Sequence, residues 1–381
     1  MEEEYYRVRA YIDEGALRHN IRLIRSLIGE DVWMLGVVKS NAYGHGAANV
    51  APILEEEGAD YLAVAIVEEG EELRRMGCRL PILVLGYTDP SQYDRLLDND
   101  LTATLFHEED ARLLSERALA RGKKAKIHIK VETGMGRIGL PCTPEGVAEA
   151  VRIARLPGLE AEGAFTHFAR SDERDKGPTA CQLERYEAFL RQMEEAGVTI
   201  PLHHAANSAA IMEYPPARSY GAKKDYQWMV RAGIMLYGLY PSHEVDREAL
   251  DLWPVLSLKS HVIHIKEVED GTPIGYGGTY RAQGRRRIAT VPVGYGDGYP
   301  RRFSAQGYVM INGCRAPLAG RGCMDQIMVD ITGIEGVKRG CPVTLIGDGI
   351  SAETIADSIG TIHYEILCQL SERVPKILQK Q

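Results

Sequence analysis

Eight short apolar runs, spaced by stretches of helical periodicity, occupy the chain up to about Tyr240 and leave few folds open. The strand-like runs are 33–38, 61–66, 81–85, 101–105, 126–131, 161–167, 202–206 and 229–231. Helix-like segments such as 47–57, 68–76, 108–121 and 179–196 lie between them, and 13–27 precedes the first run. Strands followed by helices argue for parallel pairing, because a parallel neighbour needs a crossover. A doubly wound open sheet would show the same alternation, but eight is the number that closes a barrel. The expected fold class is therefore α/β: an N-terminal (β/α)8 TIM-type barrel over 11–240, followed by a mostly β C-terminal domain. In the second part, 256–268, 287–293, 307–312, 324–330 and 342–346 read as strands between Gly-rich turns, and 352–359 and 364–371 as helices. Residues 1–10, with Tyr5-Tyr6-Arg7-Val8-Arg9, are expected to join 241–381 as an additional strand.

Composition narrows the partners. The chain has 381 residues, 45% hydrophobic and 26% charged, as in an ordinary soluble protein. A net charge of -8 argues against a nucleic-acid surface, and Arg285-Arg286-Arg287 is too short a run to supply one. No apolar run is long enough for a bilayer, and the acidic start does not resemble a signal peptide. Seven cysteines without a Cys-x-x-Cys pair read as reduced thiols, so a cytoplasmic location and no metal centre are expected.

In a closed barrel, chemistry sits at the carboxyl ends of the strands. Lys39 stands at the end of the first run, Lys130 near the fifth, His167 at the sixth, Asn207 and Ser208 after the seventh, and Arg231 at the eighth. A lysine walled by apolar residues can be desolvated, and a neutral amine can hold an aldehyde cofactor as a Schiff base. Position alone favours the alternative, a lysine that leaves the strand for solvent. Ser208 opens a helical stretch, where free N–H groups offer an anion site, and Gly233 and Ile234 could add backbone donors. Simple N-capping explains Ser208 equally well. A strand-end lysine, a phosphate cup and an apolar rim together suggest pyridoxal 5'-phosphate.

Over essentially its whole length the chain resembles alanine racemase, a fold-type III pyridoxal-phosphate family. The resemblance is carried by Val38-Lys39-Ser40-Asn41-Ala42-Tyr43-Gly44-His45-Gly46, Lys130-Val131-Glu132-Thr133-Gly134-Met135-Gly136-Arg137-Ile138-Gly139 and Thr166-His167-Phe168-Ala169. It continues in His204-Ala205-Ala206-Asn207-Ser208-Ala209-Ala210, Val230-Arg231-Ala232-Gly233-Ile234 and Gly275-Tyr276-Gly277-Gly278-Thr279-Tyr280. Gly294-Tyr295-Gly296-Asp297-Gly298 and Gly322-Cys323-Met324-Asp325-Gln326 complete the set, in the family's order.

The resemblance implies racemisation of L- and D-alanine by two bases, supplying D-alanine for cell-wall peptidoglycan. Lys39 would carry the cofactor and serve one face of the substrate, and Tyr276 the other. A free tyrosine titrates near 10, so Tyr276 needs help, and His167 and Arg231 look like that relay. Tyr43, His167, Asn207, Ser208, Arg231, Gly233, Ile234 and Tyr364 are implied around the cofactor. Arg137, Met324 and Tyr295 are implied for the substrate, and Lys130, His204 and Asp325 in support. An arginine facing the cofactor ring can only donate, leaving the ring nitrogen unprotonated and favouring simple proton return. Lys130 resembles a lysine that becomes carbamylated and braces Arg137; an unmodified Lys130 paired with Glu132 or another acid is the rival. His45 is read as stabilising its loop. The family also implies a head-to-tail homodimer with shared active sites, the second domain of one copy completing the barrel mouth of the other. Tyr364 favours alanine. The alternatives are a serine or broad-specificity racemase, a fold-type III decarboxylase, which an arginine at Arg231 disfavours, and a non-catalytic cofactor carrier.

Overall fold

The computed structural model describes residues 6–218 and 226–380, which form two compact units. One comprises Ala16–Ala42 and Val50–Trp253; the other comprises Met1–Gly15, Tyr43–Asn49 and Pro254–Gln381. Tyr5 lies outside the described residues.

The first unit is a closed barrel. Strands Val32–Val37, Tyr61–Val64, Ile82–Val84, Leu101–Leu105, Ala125–Glu132, Leu159–Phe165, Leu202–His204 and Gln227–Ala232 pair in parallel in that order. The last closes on the first, from Trp228 opposite Val32 to Ala232 opposite Gly36. All eight expected strands are present. The sixth and seventh stop at Phe165 and His204, which frees Thr166, His167 and Ala205–Asn207 for the barrel mouth. Strands such as Leu101–Leu105 are buried at every position, as both faces of a parallel sheet must be. Each fully buried Leu, Ile or Val contributes about 1.5–3 kcal/mol over its exposed state. The amphipathic helix Glu14–Ile28 precedes the first strand and turns Leu17, Ile21 and Ile24 inward. Two helices beyond those expected complete the ring. Tyr93–Asp98 follows a 3-10 turn capped by Asp89, and Pro144–Ala154 is capped by the Thr143 hydroxyl.

One irregularity shapes the interior. Ile127 pairs with Ala161 but His128 pairs with Gly163, so Glu162 is an extra residue in the sixth strand. A bulge of this kind re-aims the side chains that follow it.

The second unit is built on a six-stranded sheet. In spatial order its strands are Cys314–Pro317, Tyr308–Ile311, Pro342–Ile346, Leu256–His261, Val8–Asp13 and Lys376–Gln379. The amino-terminal segment thus supplies a strand, antiparallel to Leu256–His261 and parallel to Lys376–Gln379. The expected strand 256–268 is two strands. Leu256–His261 joins the large sheet, whereas His264–Val268 joins a three-stranded sheet with Arg286–Val291 and Ile327–Asp330. The switch falls where Val262 donates to Cys341 and Ile263 to Thr290, so the backbone changes partners without losing hydrogen bonds. Met324 and Asp325 lie before the strand Ile327–Asp330, in a loop closed by Cys323 N–H donating to Gln326. Helices Ala352–Ile359 and His363–Cys368 complete the unit.

Candidate active site

Lys39 begins an unusual turn. Ser40, Asn41, Ala42 and Tyr43 all have φ between 50° and 54°, the left-handed region. That conformation costs roughly 1–2 kcal/mol per non-glycine residue, so the surroundings must impose it. Ala42 N–H donates to Val38 at 2.8 Å. The carboxylate of Glu69 accepts from Ser40 N–H at the turn and from Ala65 N–H at the end of the second strand. Glu69 therefore ties the turn after Lys39 to the neighbouring strand, a role that no local sequence pattern announces. Tyr43 is buried, which pushes its hydroxyl above the usual tyrosine range, and His45 Nδ1 lies 3.0 Å from Tyr43 O, as its loop-stabilising reading anticipates.

Arg231 is 4% exposed, and every partner it has is neutral. Its Nη1 donates to His204 Nδ1 at 3.0 Å. Nη2 donates to Thr166 O, Ala205 O and His167 Nδ1 at 2.9, 2.9 and 3.1 Å. None of these contacts uses Nε. No carboxylate pairs with Arg231 among the described residues, and burial brings its guanidinium down to about 10. An arginine can only donate, so Nδ1 of both histidines must accept, and each neutral ring carries its proton on Nε2. His167 is held well below the usual histidine range, first by burial and then by the positive charges of Arg231, Arg137, Lys130 and Lys39. Burial and Arg231 do the same to His204, whose ring stacks on Phe165 with centroids 4.7 Å apart.

Lys130 is buried on the inward face of the fifth strand. Its Nζ donates to Val131 O at 2.7 Å and lies 5.5 Å from the centre of the Phe165 ring. Burial lowers the amine to about 8, Glu132 opposing and Arg231 and Arg137 adding to the shift. The expected rival, pairing with Glu132, is not formed. Glu132 instead accepts from the backbone N–H groups of Gly134, Met135 and Arg137 and so closes its own turn. The guanidinium of Arg137 is exposed and has no acid partner among the described residues.

After the seventh strand, Asn207 caps Ser208–Glu213, its side chain accepting from Ala210 N–H at 3.1 Å and from Ser171 Oγ at 2.8 Å. Ser208 Oγ accepts from Gly233 N–H at 3.0 Å, which draws Gly233 and Ile234, after the eighth strand, to the same place. Lys39, Lys130, His167, Ser208, Arg231 and Gly233 thus stand at or just beyond the carboxyl ends of barrel strands, as expected, and His204, expected within its strand, ends it.

The second unit carries Tyr276, Tyr295, Met324, Asp325, Tyr43 and Tyr364. Tyr276 is 67% exposed and Met324 53%, and Tyr295 is exposed as well. The turns bearing Tyr295 and Met324 are laced together: Gly296 N–H donates to Met324 O at 2.9 Å and Tyr295 N–H to Cys323 O at 3.2 Å. At Gly294 a Cβ would stand 2.3 Å from Cys323 O and 2.4 Å from Met324 O, so only glycine permits this approach. Beneath lies Asp297, 1% exposed, which pairs with Arg7 and accepts from Gly294 N–H at 2.9 Å. Asp325 is held by Arg373 at 2.6 Å. The rings of Tyr43 and Tyr364 lie 6.1 Å apart.

Sequence reasoning passed over Glu69, His128, Glu162, Arg7 and Asp297. Only His128 had a usable signal, since it precedes Lys130 by two residues and so shares its face.

A closed eight-stranded barrel with lysines and a buried arginine at its strand ends, in one chain with a mostly β unit, defines the class of two-domain β/α-barrel proteins. Comparison with known proteins makes this specific. Residues 12–241 match the model "Alanine racemase, N-terminal domain" and residues 255–378 match "Alanine racemase, C-terminal domain". An alanine racemase of Desulforamulus reducens is 46% identical over 369 residues, covering 97% of this chain and 98% of the relative. One from Clostridium perfringens is 46% identical over 377 residues, with 98% and 95% covered. Among solved structures, alanine racemase of Clostridium difficile 630 superposes with a TM-score of 0.93 at 44% identity, covering 98% of this chain and 95% of that one. Alanine racemase of Bacillus anthracis with bound L-Ala-P gives 0.90 at 38%, covering 99% and 96%. The chain belongs to the alanine racemase family.

Proposed function

We propose that this protein interconverts L- and D-alanine with pyridoxal 5'-phosphate as cofactor, supplying D-alanine for peptidoglycan. The observation that carries the reading is the barrel mouth itself: Arg231 and Lys130 are buried at strand ends, Arg231 hydrogen-bonds only neutral groups, and among the described residues no acid pairs with Arg231, Arg137 or Lys130. Such a mouth suits a ligand with a phosphate and a carboxylate.

The residues fit the cofactor. Arg231 keeps Nε–H for an acceptor such as a pyridine nitrogen, and cannot protonate it. The Ser208 hydroxyl and the backbone N–H groups of Gly233 and Ile234 are of the type that holds a phosphate, with Asn207 fixing the helix start. Tyr43 and Tyr364 complete that set by the family pattern. When bound, the cofactor draws electron density from the substrate's α-carbon and so acidifies its C–H bond.

The chain's own residues do the rest. Lys39 anchors the cofactor and removes or returns the α-proton on one face, and Tyr276 serves the opposite face. His167, its Nδ1 turned to Arg231, has Nε2–H left to donate, which would stabilise a tyrosinate. Arg137 and the Met324 backbone N–H bind the substrate carboxylate, and Tyr295 lines the entry. Lys130, close to half neutral near pH 8, is suited to take up carbon dioxide as a carbamate, which would give Arg137 an anionic brace. The exposure of Tyr276, and of Met324 and Tyr295 on their laced turns, supports a homodimer in which they serve the partner's barrel. A cytoplasmic enzyme fits, and no described helix is long and apolar enough to cross a membrane. A chiral assay with L-Ala, L-Ser and L-Lys tests the reading: alanine is racemised with the highest kcat/KM, and absence of alanine turnover would overturn it.

A further inference from the structure

Arg231 is a buried cation without an acid beside it, and its charge has to be balanced from somewhere. A chain of side chains leads from it down the barrel interior. Arg231 Nη1 donates to His204 Nδ1 at 3.0 Å, which leaves the proton of His204 on Nε2. Nε2 lies 2.8 Å from His128 Nδ1 and so donates to it. That places the proton of His128 on its own Nε2, 3.4 Å from Glu162 Oε1, close although not in line for a straight hydrogen bond. Each proton position follows from the one above it, and the series ends on the carboxylate. The Tyr61 hydroxyl donates to the same oxygen, as does Thr102 Oγ1 at 3.0 Å.

The barrel is shaped for this series. Glu162 is the extra residue of the strand bulge, and its neighbour Gly163 makes room for His128. A Cβ at Gly163 would stand 2.5–2.6 Å from three atoms of the His128 ring. His128 and His204 are fully buried. Burial pushes the Glu162 carboxyl up, but His128 and Tyr61 outweigh it and hold the group below the usual carboxylate range, so it is an anion at neutral pH.

We infer that Glu162 is a positioning residue for the racemase site: its carboxylate is the anionic end of the series that Arg231 opens, and acting through His128 and His204 it holds Arg231 in its aim. The inference rests on the racemase reading for its consequence but not for its geometry. An isosteric amide at this position still accepts hydrogen bonds while losing the charge, which separates an electrostatic role from a packing one.

The test uses protein loaded with pyridoxal phosphate. Nitrogen-15 NMR of the histidines, assigned through His128→Gln and His204→Gln difference spectra, should show both rings neutral with the proton on Nε2. In Glu162→Gln the His128 Nε2 proton should move upfield as its acceptor weakens, and kcat should fall about tenfold with KM for alanine within about twofold. A wild-type His128 protonated on Nδ1, or Glu162→Gln with unchanged kcat, overturns the inference. If Glu162→Gln does not fold, the wild-type tautomers decide alone. An inactive wild-type protein with both protons on Nε2 would defeat the racemase reading and leave this one standing.

Discussion

The barrel mouth and the turns of the second unit carry comparable numbers of the residues proposed for the site, but they are built in opposite ways. At the mouth three ionisable groups are buried: Arg231, Lys130 and His204 are nearly inaccessible, and their protonation is set by burial and by nearby charges. On the second unit Tyr276 and Met324 are exposed, and what is buried is Asp297, which pairs with Arg7 beneath the turn of Tyr295. A buried group can be tuned by its own subunit. An exposed one acquires a low-dielectric setting only when something covers it. Under the proposed function the barrel holds a pretuned half of the chemistry and the second unit delivers the other half to another copy.

The contrast can be broken at several points. Lys39→Ala should have the largest effect, with racemisation falling by more than about 10⁴-fold and the visible absorbance of bound cofactor lost together. A coloured, active variant would remove Lys39 from the mechanism. Tyr276→Phe should keep the absorbance while turnover falls about 10²- to 10⁴-fold, most severely from the L side; unimpaired turnover in both directions would end the two-base account. Gly294→Ala forces a Cβ into Cys323 and Met324. It should destabilise the second unit by about 1–3 kcal/mol in denaturant unfolding and leave the cofactor spectrum unchanged. A spectrum that shifts with it would mean that the two regions are not separable. The smallest effect concerns Lys130, whose amine is protonated below about pH 8 and neutral above. With labelled bicarbonate, a carbamate carbon-13 resonance should grow as pH rises through 8 and be absent in Lys130→Arg; a signal independent of pH would contradict the assignment.

Much of this architecture was legible in the sequence. Continuous apolar runs with intervening helical periods locate all eight strands, and strand ends locate Lys39, Lys130, His167, Ser208 and Arg231. What escaped depends on tertiary contact. The left-handed turn of Ser40–Tyr43 has no sequence mark, because non-glycine residues adopt it only when neighbours such as Glu69 hold them there. The split of 256–268 at Val262 is invisible to hydropathy, since the apolar pair Val262-Ile263 bridges it and only the change of partner separates the halves. Glu162 looks like a surface acid until the bulge turns it inward. The ion pair of the partly exposed Arg7 with the buried Asp297 spans 290 residues, a separation that periodicity cannot reach.

Sharing between subunits is the claim on which the comparison stands, and subunit mixing tests it directly. Lys39→Ala and Tyr276→Phe proteins, each inactive, are dissociated, mixed in equal amounts and allowed to reassociate. If each site takes Lys39 from one copy and Tyr276 from the other, half the dimers are mixed and each contains one intact site, so about a quarter of wild-type activity returns. If both residues come from the same chain, every site keeps one lesion and the mixture stays inactive.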